Sequence, residues 1–173
     1  MTRKFQTLEG FVAHLQKRVL PSLPVAVHRG VQDGAELIRD TVKGQIGQYL
    51  EGPEDGLPTA PLADSTIDDR IRKGFTPNDP GLRSGEMRDG YGARVGEEGL
   101  EVEASIGSDD LKAVYFELGT VRDGQFHQPP RPELSVAASR CEQKIARGAG
   151  RMIVRALEGR PLPNSRSHEE QAD

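Results

Sequence analysis

Apolar positions recur at helical spacing in three stretches of the chain and alternate strictly in two others. Leu8, Phe11, Val12, Leu15 and Val19 lie on one face of a helix over residues 7–20. Thr7 is placed to cap it and Pro21 to close it. Val27, Val31, Ala35, Ile38, Val42, Ile46 and Tyr49 step by three or four and predict a long amphipathic helix over 24–50. Gly30, Gly34, Gly44 and Gly47 interrupt it, each lowering its intrinsic stability by about 1 kcal/mol relative to Ala. They also leave room for another backbone to come close, so this helix is expected to depend on packing. Leu134, Ala138, Cys141, Ile145, Ala149, Met152 and Ala156 repeat the pattern in a helix over 131–158, preceded by prolines that suit a helix start.

Between the long helices the period changes to two. Tyr91, Ala93 and Val95 alternate with Gly and Arg, and Leu100, Val102, Ala104 and Ile106 with Glu and Ser. Both read as strands with one buried face, joined by a turn at Gly96-Glu-Glu-Gly99. Residues 51–63 and 76–81 are loops by their Pro and Gly content. Asp64 or Ser65 caps a short helix that Gly74 ends. Residues 109–118 fit either a helical turn or a strand, and Val121–His127 reads as an exposed loop. The stretch after Gly159 is polar, charged and Pro-containing, and is expected to be disordered. No internal repeat is visible. The division this predicts is a short helix and linker over 1–23, a main domain over 24–158 and a tail over 159–173.

Composition narrows the class. Only 35% of the 173 residues are hydrophobic, 5% are aromatic and Trp is absent, while Gly numbers 20 and Pro 12. The core is therefore modest, and thin cores are often completed by a neighbouring copy. A formal net charge of −4 lacks the basic footprint of a nucleic-acid-binding protein. No apolar run is long enough to span a membrane, and the N-terminus lacks the pattern of a secretory signal. The single cysteine, Cys141, excludes an internal disulfide and reads as a small buried apolar residue.

Candidate chemistry is sparse. His14, His28, His127 and His168 have no metal-ligand spacing, and one cysteine makes no thiolate zinc site. Gly90-Tyr-Gly-Ala-Arg-Val-Gly96 imitates a dinucleotide fingerprint with the wrong spacing, and a strand follows where a helix is needed. Glu117 stands in an apolar run, where a buried carboxyl can serve as an acid. No second acid or nucleophile accompanies it. An ion pair or a cap on backbone amides is the plainer reading, with Arg83, Arg88 and Arg131 as candidate mates. Arg70, Arg72, Lys73, Arg83 and Arg88 form a local basic excess, which reads as a solvated face or an interface, with a surface past which DNA runs as the functional alternative. No cofactor or metal is expected, and the chain does not read as an enzyme. A small hydrolase using Glu117 and His127 is the rival in that class.

Three segments stand out in order: Ser84-Gly-Glu-Met-Arg88, Tyr115-Phe-Glu-Leu-Gly-Thr120 and Gln128-Pro-Pro-Arg-Pro-Glu-Leu134. With a helix at each end and Pro61-Leu-Ala-Asp-Ser-Thr66 before them, they resemble the head–tail joining, or tail-completion (neck, tail-terminator-like), proteins of tailed bacteriophages. The resemblance covers roughly residues 24–158. Met87 stands where Leu is commoner in that family, and the aromatic residue expected after the first proline of 128–134 is missing.

The resemblance implies a structural virion protein, assembled in the host cytoplasm. It would form a homo-oligomer, a hexameric ring, between capsid connector and tail tube, with DNA passing through the channel without specific binding. A minor tail or baseplate component, or a nucleic-acid-binding module, are the alternatives. The fold expected is α+β, a small mostly antiparallel sheet packed against long N-terminal and C-terminal helices. Tyr115, Phe116, Glu117, Leu118, Gly119 and Thr120 would shape a turn, with Gly119 in a conformation costly for other residues. Pro129, Pro130, Arg131 and Pro132 would set the approach to the last helix, and Glu117 would pair with Arg131. Glu51, Glu54, Asp55, Glu97 and Glu98 would line the channel.

Overall fold

A computed structural model describes residues 4–51 and 58–163. The acidic pair Glu54 and Asp55, His168 and the tail beyond residue 163 lie outside the described residues. The class is α+β. In chain order the elements are α1 (Leu8–His14), a π-helical segment (Leu15–Val19), α2 (Leu20–Gln45), α3 (Asp64–Arg72), α4 (Glu86–Asp89), β1 (Tyr91–Val95), β2 (Ala104–Ser108), α5 (Leu111–Leu118), β3 (Thr120–Arg122), β4 (Gln125–Gln128) and α6 (Leu134–Leu157).

Pro21 does not close the first helix. The helical path runs from Leu8 through Gln45 with Pro24 inside α2. The π-helical segment offers the reason. Its wider turn, closed by the Leu20 N–H on the Leu15 carbonyl, lies just ahead of the prolines. A proline ring clashes with the carbonyl four residues earlier, and an i→i+5 pattern relieves the crowding and the missing donor. Thr7 caps α1 as expected, its hydroxyl accepting the Gly10 N–H at 3.1 Å.

The chain divides into two compact units. One gathers the residues up to Ala35, Val95–Ala104 and the chain from Gln143 onward, and the other Glu36–Arg94 and Ser105–Glu142. In the first unit, Ala26, Met152 and Ala156 form a small core with Leu23 and Leu162 against it. Here the glycines act as the sequence allowed. A Cβ on Gly30 would sit 3.0 Å from Ala149 Cα, and one on Gly34 would sit 2.9 Å from Ile145 Cγ2. The buried residues of this half of α2 are Ala26, Gly30, Asp33, Gly34 and Ala35, so Ala35 of the predicted face is buried while Val27 and Val31 stay half-buried. Small residues won because they let α6 come closer than valines would.

In the second unit, Val42, Ile46, Met87, Tyr91, Ala113 and Ala137 make the core, with Ile38, Leu82, Phe116 and Leu134 packed on it. Cys141 is buried as expected, 3.2 Å from the Thr41 hydroxyl. Ala63, not Asp64 or Ser65, holds the capping position of α3 and makes no side-chain bond there, while Gly74 follows the helix at φ 75°.

The strands form two separate pairs, β1 with β2 and β3 with β4. The second strand begins at Ala104, later than its alternation indicated. Residues 121–127 are not a loop. They belong to an antiparallel hairpin in which Val121 faces Phe126 and Arg122 faces Gln125. Its two-residue turn, Asp123-Gly124, has positive φ at both positions, 52° and 78°. That is the backbone a tight hairpin with natural strand twist demands.

Candidate assembly site at the corner between α5 and α6

The corner begins with a capped helix. Asp110 accepts the Lys112 N–H at 2.9 Å and starts α5, resolving the ambiguity of residues 109–118 in favour of helix. Along α5 the side chains sort into two sets. Ala113 is buried, and Phe116 and Glu117 are half-buried. Leu111, Val114, Tyr115 and Leu118 are exposed, at 67%, 46%, 50% and 68%. Their spacing of three, one and three places them on a single face.

Gly119 ends α5 at φ 72°, ψ 179°, a region essentially reserved for glycine. A Cβ there would lie 2.7 Å from the Gln128 carbonyl and 2.8 Å from the Pro130 nitrogen. Gly119 thus combines a backbone conformation costly for other residues with crowding that the sequence did not show. Thr120 opens β3 opposite Gln128. The chain then returns through half-buried Pro129 and Pro130. The Arg131 N–H donates to the Phe116 carbonyl at 2.7 Å, closing the corner, and half-buried Pro132 leads into α6.

Glu117 and Arg131 do not pair with each other. The Glu117 carboxylate accepts the N–H groups of Glu133, Leu134 and Ser135 at 2.8, 3.0 and 3.0 Å, and the Ser135 hydroxyl as well. It caps α6, whose first N–H groups have no partner within the helix. The positive end of the helix dipole favours a carboxylate there. Burial pushes the Glu117 carboxyl up, but the bonds from Ser135, Glu133 and Leu134 together hold it below its ordinary value.

Arg131, buried, is turned the other way. It donates to the carbonyls of Ala60 and Pro61 at 2.7 and 2.8 Å, with its guanidinium 5.6 Å from the centre of the Phe116 ring. Planar, always charged and rich in donors, the guanidinium suits two backbone carbonyls better than one carboxylate already saturated by amides.

A buried acid adjoins this cap. Glu133 is 1% exposed, and neither carboxyl oxygen has a hydrogen-bond partner among the described residues. Burial, reinforced by the charge of Glu117 and opposed by Arg140, pushes its carboxyl up to about 8. The phenol of buried Tyr91 is pushed up to about 12, by burial first and then by Glu117 and Glu133. No sequence signal pointed to Glu133, since a glutamate after prolines reads as surface.

Two concavities flank α5. A cleft of about 570 Å³ is lined by Ser84, Gly85, Glu86 and Met87 of the first motif, Tyr115 and Phe116 of the second and Gln128 of the third, with Arg70, Phe75, Gly81, Arg83 and Lys112. The three motif segments thus meet on one cleft. On the other side Tyr91, Gly107, Ser108, Ala113, Val114, Glu117, Leu118 and Leu134 surround about 260 Å³ of mostly apolar space.

The basic excess of residues 70–88 is largely engaged within the chain. Asp69 pairs with Arg72, Lys73 and Arg83, Arg88 pairs with Asp89, and buried Arg70 donates to the Asp79 carbonyl at 2.7 Å. His127 lies exposed on β4. Among the described residues no group of three His, Cys, Asp or Glu side chains is placed to hold a metal ion, and no helix is long and apolar enough to cross a membrane. Comparison of the chain with models of known protein families, with curated proteins and with solved structures finds no match.

Proposed function

We propose that this chain is a structural subunit of a tailed-bacteriophage virion, a head–tail joining or tail-completion protein that assembles as a ring between capsid connector and tail tube. One observation carries the reading. In Tyr115–Thr120, the inward residues Phe116, Glu117 and Gly119 are spent on building the α5–α6 corner. The outward residues Tyr115 and Leu118 join Leu111 and Val114 in an exposed apolar stripe. A rigid corner that presents four large apolar side chains to solvent is what an assembly subunit needs, because such patches mark interaction surfaces. The Glu117 carboxylate, which a hydrolase would need, is occupied as a helix cap. The meeting of all three motif segments on one cleft supports the same reading.

The test is the solution mass of the protein across a concentration series, with negative-stain imaging. Closed rings are expected, and L111E/L118E is expected to shift the protein to monomer while its thermal unfolding stays near wild type. Rings that survive that double substitution would remove α5 from the interface. A wild-type chain that stays monomeric, with or without connector and tail-tube proteins, would overturn the assembly role.

A further inference from the structure

The first compact unit carries two opposite charge patches that do not neutralise each other. On α6, Lys144, Arg147, Arg151 and Arg155 follow one another by three, four and four residues. They form a basic stripe about 16 Å long at 1.5 Å per residue. Lys144, Arg147 and Arg151 are exposed. Neither Lys144 nor Arg147 has a carboxylate in ion-pair range among the described residues. Val154, 52% exposed, lies on the same face, seven residues from Arg147.

The connection between β1 and β2 carries Glu97, Glu98, Glu101 and Glu103, all exposed and none paired with a cation among the described residues. Leu100 stands among these acids and is 69% exposed. Each patch is therefore a charged rim with an apolar residue within it, the anatomy of half an interface.

Resting on the ring reading above, we infer that the basic face of α6 in one copy receives the acidic 97–103 connection of the next copy. Leu100 then packs near Val154, and the glutamates face Lys144 and Arg147. A second copy is favoured over nucleic acid because the chain is acidic overall, at −4, and gives DNA little long-range attraction. A second copy supplies four carboxylates and an apolar anchor at once. The contact joins two different patches, so it is head-to-tail, the kind that generates rings when the rotation closes. Its charged rim steers encounter and sets register more than it adds affinity.

The experiment is charge reversal with complementation. E97K/E98K/E101K leaves a chain whose two patches are both basic, and K144E/R147E one whose patches are both acidic. Each variant alone is expected to self-associate at least about tenfold more weakly than wild type in sedimentation equilibrium at about 50 mM salt, where screening is weak. An equimolar mixture restores both contacts and is expected to return to within about threefold of wild type. All the substituted positions are exposed, and circular dichroism melts check the fold of each variant. K144Q/R147Q, expected to show a partial loss, replaces the reversal if that chain misfolds.

Variants that associate like wild type, or a mixture that does not recover, overturn this contact and leave the ring reading standing. A wild-type chain monomeric at the same salt overturns the contact together with self-assembly of the isolated chain. Loss of duplex-DNA binding in K144E/R147E with association unchanged assigns the stripe to nucleic acid and overturns the contact.

Discussion

The carboxylate of Glu117 lies 3.0 Å from the backbone nitrogen of Leu134, so the last turn of α5 supplies the cap for the first turn of α6. Removing it leaves three backbone N–H groups and the Ser135 hydroxyl without their acceptor. Glu117→Ala is expected to cost about 2–3 kcal/mol in urea unfolding. Glu117→Gln keeps one acceptor oxygen but turns an amide donor toward other donors, and should recover less than half of that. The pH dependence has a definite sign. The carboxyl is held below its ordinary 4.5, so its contribution is present above that value and is lost as pH falls through the lower folded one. The wild-type advantage over Glu117→Gln should shrink on acidification below pH 4.5.

Glu133 has the opposite sign. Its carboxyl is raised to about 8 from 4.5, so the folded chain holds a proton that the unfolded chain releases between those values. Stability from this group therefore falls as pH rises from 4.5 to 8. Glu133→Gln removes the titration. It should be more stable than wild type by on the order of 2–3 kcal/mol at pH 8 and nearly equal to it at pH 5, as read from urea midpoints at both values. A wild-type chain that gains stability between pH 5 and 8 relative to Glu133→Gln would contradict a buried, protonated Glu133.

Gly119→Ala tests the corner itself. The substitution forces an L-residue into φ 72°, ψ 179° and brings its Cβ against the Gln128 carbonyl and Pro130. A loss of about 3 kcal/mol or more is expected, seen as a lower thermal midpoint. Gly124→Ala, at φ 78° with open space around it, should cost less, about 1 kcal/mol. Equal losses at the two positions would mean that crowding contributes nothing at Gly119.

Arg131→Lys separates charge from geometry. The ammonium keeps the charge but not the fork that reaches two carbonyls, nor the planar face over Phe116. A loss of about 1–3 kcal/mol is expected, with faster amide hydrogen exchange over residues 58–63 and little change in the first unit.

The two long helices, the cap at Thr7, the stop at Gly74 and the demand on Gly119 were legible from residue order, because each depends on spacing or on one residue's own backbone. The hairpin at 120–128 was not legible and read as an exposed loop: Asp123-Gly124 carries a turn signal, but the strands are too short and polar for alternation to show. Pro21 misled because a proline ends a helix only if the local turn is too tight for it, and the π-helical segment widens that turn.

Which partner Glu117 takes was decided only in three dimensions. Its carboxyl meets the amides of residues 133–135 only when the corner closes, and the same closure turns the Arg131 guanidinium to the Ala60 and Pro61 carbonyls. The burial of Glu133 is likewise a property of the packed core, invisible in a sequence where it follows a run of prolines. Residue order determined which segments are helices and where the backbone must bend, because those are local preferences. Tertiary packing decided which polar groups are satisfied and which apolar ones stay exposed, because partners distant in sequence must compete for the same space.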